Sequence, residues 1–291
     1  MKIYDTTTYF DEDLMMDLRF NILNKYVDKF IVCEANFTHS GKKKEIKFNP
    51  DKFKKFQDKI VHVIVEEDPI KYNNNYSPIE QRYNSVKRIE FQRNKIIEGL
   101  KDANPDDFII YSDNDEIPKL DKIDFKKINS KIILFRQKLY YYKFNLYYNK
   151  INWFGSKACR VKDLKDITWL RNIKTKKYKF FRIDILFSNS KYSNLDTIKN
   201  GGWHFTNLKT PKDLLKKYLN DEMHSEFEQN KMSLIEIENK ISEGYVNYDH
   251  LADSKNSNQK HNNKFKLDLV SNEDLPDYIK NNLDKYKAWM A

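Results

Sequence analysis

The segment FIIYSDNDEIP, residues 108 to 118, sets Asp113, Asp115 and Glu116 within four positions behind an apolar run. Like charges crowded at a strand end repel one another unless a cation or hydrogen-bond donors share them. Alternate residues of an extended segment project to one side, so Asp113 and Asp115 are expected to face together with Asn114 turned away. A hard divalent ion held by one or two carboxylates keeps coordination places for water and substrate phosphates, so the pair reads as a shared cation and diphosphate site. The alternative is a solvated acidic turn closed by Pro118.

Carboxylates at a strand end need a sheet behind them. In DEDLMMDLRFNILNKYV (11 to 27), Leu14, Leu18 and Ile22 recur at helical spacing, and KFIVCEA (29 to 35) reads as a buried strand. A second apolar run, KIVHVIVEE (59 to 67), leads into the polar loop KYNNNYSP. There Ser77, Pro78 and Glu80 supply an N-cap, a first-turn proline and the acid of a capping box, so a helix is expected from Pro78 to about Gly99. Asn104-Pro105 then turns the chain into the strand DFIIYS. Strands alternating with helical connections predict an α/β fold with a mostly parallel sheet flanked by helices, whose ligands sit beyond the carboxyl ends of the strands.

The helix carries an oddity. Arg82, Val86, Ile89, Arg93, Ile96, Ile97 and Leu100 fall on one stripe, which places two arginines among apolar residues. Arg82, in the exposed first turn, either snorkels beside an acid or contacts a ligand. Arg93 sits in mid-stripe, where an unpaired guanidinium is costly, so it must reach a carboxylate or a bound anion near the strand ends.

With 291 residues, 40% hydrophobic and 33% charged, the chain can bury a sizeable core and is not a disordered polymer. No stretch has the apolar length of a transmembrane segment, and the start has neither a basic nor an apolar signal region. Cys33 and Cys159 both lie among apolar neighbours, which argues against a disulfide framework or a cysteine zinc site and fits a cytoplasmic setting. The net charge of +10 is carried by lysines spread along the chain, and no nucleic-acid partner is expected from it.

Four ordered blocks, YDTTTYFDEDLMMDLRFNILNKYVDKFIVCEANFTHSGKKK, FQRNKIIEGL, DDFIIYSDNDEIP and GGWHFTNL, resemble glycosyltransferase family 17, the family that includes the enzyme adding bisecting N-acetylglucosamine to N-glycans. The likeness runs from residue 3 to about 230. It implies a GT-A-like (Rossmann-like) fold, a nucleotide-sugar donor, usually UDP-GlcNAc, a divalent cofactor (Mn2+ or Mg2+), and inverting transfer to a β-linkage. Asp113 and Asp115 resemble the metal and diphosphate motif of such enzymes. Glu34, with Asn36 and Thr38 close behind, takes the place where these folds meet the nucleoside, and Arg93 and Asn94 resemble the pair that opens the donor pocket. His204 resembles the C-terminal histidine offered to the metal or diphosphate; without the resemblance, a histidine between Trp203 and Phe205 reads as a core residue. The likeness begins at residue 3, which leaves no room for the Golgi anchor and stem of the animal members, so the acceptor is expected to be a glycan or surface polysaccharide met in the cytoplasm.

Inverting transfer also requires a carboxylate base apart from the metal. Three candidates stay open: Asp163 and Asp166, after the small-residue turn NWFGSKA, and Glu222, on the helix PKDLLKKYLNDEMHSEF. Glu116 is read as bracing the metal loop. Trp153, ahead of Phe154-Gly155, is a candidate donor or acceptor contact, with Gly155 allowing close approach of backbone to ligand. LYYYKFNLYYN (139 to 149) reads as a packed strand pair, with stacking of its end tyrosines on an acceptor ring as the alternative.

The expected organisation is one GT-A-like domain over residues 1–250, a flexible polar loop over 251–264, and a C-terminal segment over 265–291 that docks back through Leu275, Ile279, Leu283 and Tyr286. His250 and His261 carry no metal-ligand spacing. The expected activity is metal-dependent inverting transfer of N-acetylglucosamine. The alternatives are a non-catalytic carbohydrate- or nucleotide-binding protein on the same scaffold, a transferase using another nucleotide sugar, and a basic nucleic-acid binder.

Overall fold

The computed structural model describes residues 1–71, 75–179, 181–246 and 265–291. The expected polar loop at 251–264, with His250 and His261, lies outside the described residues. The described elements run β1 (Ile3–Tyr9), α1 (Asp13–Leu23), β2 (Lys29–Ala35), β3 (Ile60–Val65), α2 (Pro78–Lys95), β4 (Phe108–Tyr111), β5 (Glu116–Pro118), β6 (Ile132–Tyr141), β7 (Leu146–Arg160), α3 (Ile167–Asn172), α4 (Ile183–Leu186), β8 (Leu195–Ile198), β9 (Gly202–Thr206), α5 (Pro211–Tyr218), α6 (His224–Gln229), α7 (Leu234–Glu243), β10 (Asp268–Leu269) and α8 (Asp277–Lys280).

One sheet joins the strands in the order β3-β2-β1-β4-β7-β6-β9-β5, with β8 beside β6 and β10 beside β7. The first four are parallel, β7 runs antiparallel to both β4 and β6, and β6 is parallel to β8 and β9. This is the GT-A-like α/β architecture. Alternation along β2 and β4 divides the core between the sheet faces. Phe30, Val32, Phe108 and Ile110 meet α1 and the C-terminal tail on one side. Ile31, Cys33, Ile109 and Tyr111 belong to the opposite cluster, with Ile96 and the α3 residues Trp169 and Leu170.

The central strand β1 was not expected, because four consecutive polar residues, Asp5 to Thr8, fill the middle of IYDTTTY. Its Asp5 is buried because Arg19 of α1 donates from Nε and Nη2 to the two carboxylate oxygens at 2.6 and 2.8 Å. The third guanidinium nitrogen, Nη1, reaches the Glu116 carbonyl at 2.7 Å. A fully buried bidentate pair thus ties α1, β1 and the acidic segment together.

Helix α2 starts at Pro78 with the Ser77–Glu80 capping box formed. Its packing face differs from the apolar stripe: the buried residues are Asn84, Ser85, Arg88, Ile89 and Gln92, while Ile97 is exposed. Polar bonds explain this docking. Arg88 pairs with Asp68 at 2.8 Å and Gln92 Nε2 donates to the Cys33 carbonyl at 2.9 Å. NWFGSKA is no turn but the middle of β7. LYYYKFNLYYN does form a strand pair, β6 with β7, and Tyr140, Tyr141, Tyr142 and Tyr148 are buried. The expected helix after His204 is broken into α5 and α6, so Glu222 sits in the connection between them. In the tail, Leu275, Ile279 and Tyr286 are buried, Leu283 is more exposed, and the Tyr286 hydroxyl donates to Asp17 of α1 at 2.9 Å. Cys33 and Cys159 are buried free thiols.

Candidate active site

A cavity of about 390 Å³ opens where β1 and β4 end, with Thr8, Arg93, Asp113, Asp115 and His204 in its wall. The acidic segment forms a turn rather than an extension, since Glu116 N donates to the Asp113 carbonyl at 3.0 Å. The turn separates the roles of the two aspartates. Asp113 Oδ1 accepts from the Tyr111 hydroxyl at 2.8 Å and from Arg93 Nη2 at 3.0 Å. Its Oδ2 accepts from Arg171 Nε and Nη2 at 3.0 and 2.8 Å. Burial would raise the Asp113 carboxyl, but Arg171 and then Arg93 hold it well below the usual carboxylate range.

Asp115 faces His204 instead, Oδ1 to Nε2 at 3.3 Å. Backbone pairing fixes this meeting, because Glu116 of β5 registers with His204 of β9 and Phe205 N donates to the Asp115 carbonyl at 2.8 Å. Burial would raise the Asp115 carboxyl, yet His204 and Lys217 together bring it below its ordinary value. The Trp153 indole lies over the His204 ring with centroids 4.6 Å apart and donates to Glu116 Oε1 at 2.8 Å. Burial, then the Asp113 charge, pushes the Glu116 carboxyl up.

These donors revise the shared-cation expectation. Both Asp113 oxygens are committed to Tyr111 and two guanidiniums, so a metal there would displace or oppose two cations. Asp115 and His204 fit a hard ion better, as one carboxylate and one imidazole facing each other across the cavity wall. Among the described residues no group of three or more such side chains converges. The pair therefore suits an ion that completes its shell with phosphate oxygens and water.

The remaining expected donor contacts divide. Arg93 reaches a carboxylate at the strand ends, as its buried stem requires. Asn94 stays outside the cavity wall; its Oδ1 accepts from Thr168 N at 2.9 Å and so holds α3, the helix that carries Arg171. Glu34 is sealed in the core by Lys44, Lys47 N at 2.9 Å and Phe48 N at 2.8 Å, and staples the excursion after β2. Asn36 and Thr38 lie in that excursion and bond to its backbone and to Ser40. His39 lines the cavity in their place, and burial followed by Arg93 pushes it down to about 4, so it is neutral. Arg82 pairs with Glu226 at 2.6 Å and Glu222 at 3.8 Å. Gly155 makes room for protein, not ligand: a Cβ there would come 2.0 Å from Gln137 Oε1 and 2.5 Å from Glu116 Cδ.

The base candidates also separate. Asp163 faces Lys131 at 3.5 Å in a different surface hollow, and Asp166 is the N-cap of α3, accepting from Trp169 N at 2.7 Å. Neither lines the cavity. Glu222 does, and so does its neighbour Asp221, which burial pushes up to about 6 against the opposing pull of Lys217. Asp221, Arg171, Lys217 and His39 were absent from the sequence reading. Arg171 is masked in sequence by the basic run that follows it, and its placement also needs Lys157, which donates to the Ile173 carbonyl at 2.7 Å where α3 ends.

The sequence model of glycosyltransferase family 17 matches residues 1–290. Over 122 residues, 39% of this chain, it is 29% identical to the beta-1,4-mannosyl-glycoprotein 4-beta-N-acetylglucosaminyltransferases of Homo sapiens and Rattus norvegicus. The matched region spans about a fifth (21%) of those relatives' length. Among solved structures, HddC from Yersinia pseudotuberculosis overlaps 68% of this chain and 91% of its own at 9% identity and a TM-score of 0.29. A match over nearly every residue, on a chain whose arginines and carboxylates converge at the strand ends, places it: the chain belongs to glycosyltransferase family 17.

Proposed function

We propose that the protein transfers N-acetylglucosamine from UDP-GlcNAc, with inversion, to a hydroxyl of a glycan or polysaccharide. The observation that carries this reading is the convergence of Arg93, Arg171 and Lys217 with Asp115 and His204 in one cavity wall, which offers cationic groups to a diphosphate beside two side chains able to donate to a metal. Arg93 and Arg171 are aimed by Asp113, so their charge is pre-organised before a donor arrives. Asp115 and His204 would hold Mn2+ or Mg2+, which when bound supplies Lewis-acid charge stabilisation to the departing diphosphate. The neutral His39 and the Thr8 and Phe10 side of the cavity would take the nucleoside. Two buried free thiols support a cytoplasmic setting.

Asp221 is the base in this reading. Its pKa of about 6 leaves it deprotonated at neutral pH, yet basic enough to accept a hydroxyl proton as the sugar bond forms. One Asp221 oxygen already accepts from Met223 N at 2.9 Å, which orients the carboxylate. Glu222 serves this role less well, because its 42% exposed side chain faces Arg82.

The test is a panel of UDP-, GDP- and dTDP-sugars scored by thermal stabilisation with and without manganese, followed by proton NMR of slow donor hydrolysis. UDP-GlcNAc should stabilise the protein most and release the β-anomer first. Stabilisation by GDP- or dTDP-sugars alone would remove the donor assignment, and initial release of the α-anomer would remove inversion.

A further inference from the structure

Half of the net charge of +10 resides in eighteen residues: positions 174 to 191 hold Lys174, Lys176, Lys177, Lys179, Arg182 and Lys191 against the single acid Asp184, six minus one leaving +5. The lysines are therefore not evenly spread. This excursion leaves α3 just beyond Arg171 and closes at its neck, where Lys174 N donates to the Ser190 carbonyl at 2.8 Å and Tyr178 N to the Tyr192 carbonyl at 3.2 Å. Trp169 Nε1 anchors the returning segment through the Asn189 carbonyl at 2.8 Å. Asp184 is already neutralised by Arg182 and Lys191, each at 2.8 Å, so the four exposed lysines dominate the surface.

Between these charges stand Phe181, Ile183 and Phe187, exposed at 66, 72 and 86%. Three large apolar side chains clustered in one short exposed segment mark an interaction site. Exposed ammonium groups and exposed apolar side chains on one short segment match a surface that is anionic outside and hydrocarbon beneath. We propose that the 174–191 excursion docks the protein on an anionic lipid bilayer, with Phe181, Ile183 and Phe187 seated among the headgroups and the lysines on lipid phosphates. The exposed aliphatic Ile183 beside the two phenylalanines suits hydrocarbon, whereas a single-stranded nucleic acid stacks its bases on aromatic rings along a basic groove. Because α3 carries Arg171 at the other end of the same connection, docking fixes the cavity near the membrane, where a lipid-borne acceptor would be presented. The docking itself does not depend on the donor assignment.

The test is flotation of the full chain with vesicles of phosphatidylcholine alone or mixed with phosphatidylglycerol. The mixed vesicles should carry the protein, the neutral ones should not, and added salt should release it. Each charge removed should weaken partition about fivefold, so K176E/K177E/K179E should abolish flotation. Phe181→Ser with Phe187→Ser should lower affinity by roughly tenfold or more at unchanged charge, since the buried apolar area is lost. Both variants should keep the unfolding midpoint of the parent protein, which shows that the fold is intact. Equal flotation with neutral vesicles, no flotation at all, or full binding by the charge-reversed variant would overturn the proposal. So would an oligonucleotide that binds the excursion while the mixed vesicles do not.

Discussion

Arg171 Nε and Nη2 both donate to Asp113 Oδ2, at 3.0 and 2.8 Å, across 58 residues of chain. Arg93 holds the other oxygen from the opposite side in sequence, at 3.0 Å. One carboxylate therefore aims two guanidiniums at the cavity.

Arg171→Met should lower affinity for UDP by about tenfold or more while leaving the unfolding midpoint close to that of the parent, because much of the aliphatic stem is kept. Arg93→Met should behave alike. Isothermal titration with UDP checks both, and unchanged affinity in either protein returns that arginine to a packing role.

Asp113→Ala and Asp115→Ala should fail differently. The first leaves two largely buried guanidiniums without their counter-charge and should cost roughly 3 kcal/mol of stability, the lower end for breaking a buried pair. The second should remain folded and lose the manganese dependence of UDP binding, as should His204→Ala. Denaturant melts read alongside manganese titrations separate the two outcomes. A stable Asp113→Ala protein would show that the clamp is not structural.

Asp221→Asn should reduce transfer by about 10²-fold or more and spare UDP affinity, whereas Glu222→Gln should lose far less. The sign of the pH dependence follows from the upward shift to about 6. The active form is deprotonated, so the parent rate should rise through about pH 6 and level above it. The same shift costs stability as pH rises from near 4 to about 6, because the unfolded carboxyl loses its proton first. A pH–rate profile of the variant that retains the acid limb would exclude Asp221 as base.

Arg19→Ala should be among the most destabilising single changes, at about 3–5 kcal/mol, since it strands Asp5 in the core and frees the Glu116 carbonyl. Chemical denaturation measures the loss. Arg19→Ala with Asp5→Ala should recover part of it, which distinguishes an uncompensated charge from lost packing.

What the sequence determined by itself is what short-range physics encodes. Ser77 and Glu80 close their capping box within four residues, and the apolar runs of β2 and β4 announce buried strands, because cap bonds and strand burial depend on near neighbours in the chain. The mid-stripe position of Arg93 likewise required a partner acid near the strand ends. The tertiary structure decided the rest. Strand β1 reads as polar until Arg19 arrives from α1 to neutralise Asp5, and α2 packs through Arg88 and Gln92, whose acceptors lie on other elements. Asp113 and Asp115 part company because a turn, held by pairing of β5 with β9, sends one to the arginines and the other to His204. Asp166 was spent as a helix cap, while Asp221 reached the cavity through a break between α5 and α6. Strand order in the sheet sets which distant side chains meet, and that order is a long-range consequence of packing that no local pattern of residues carries.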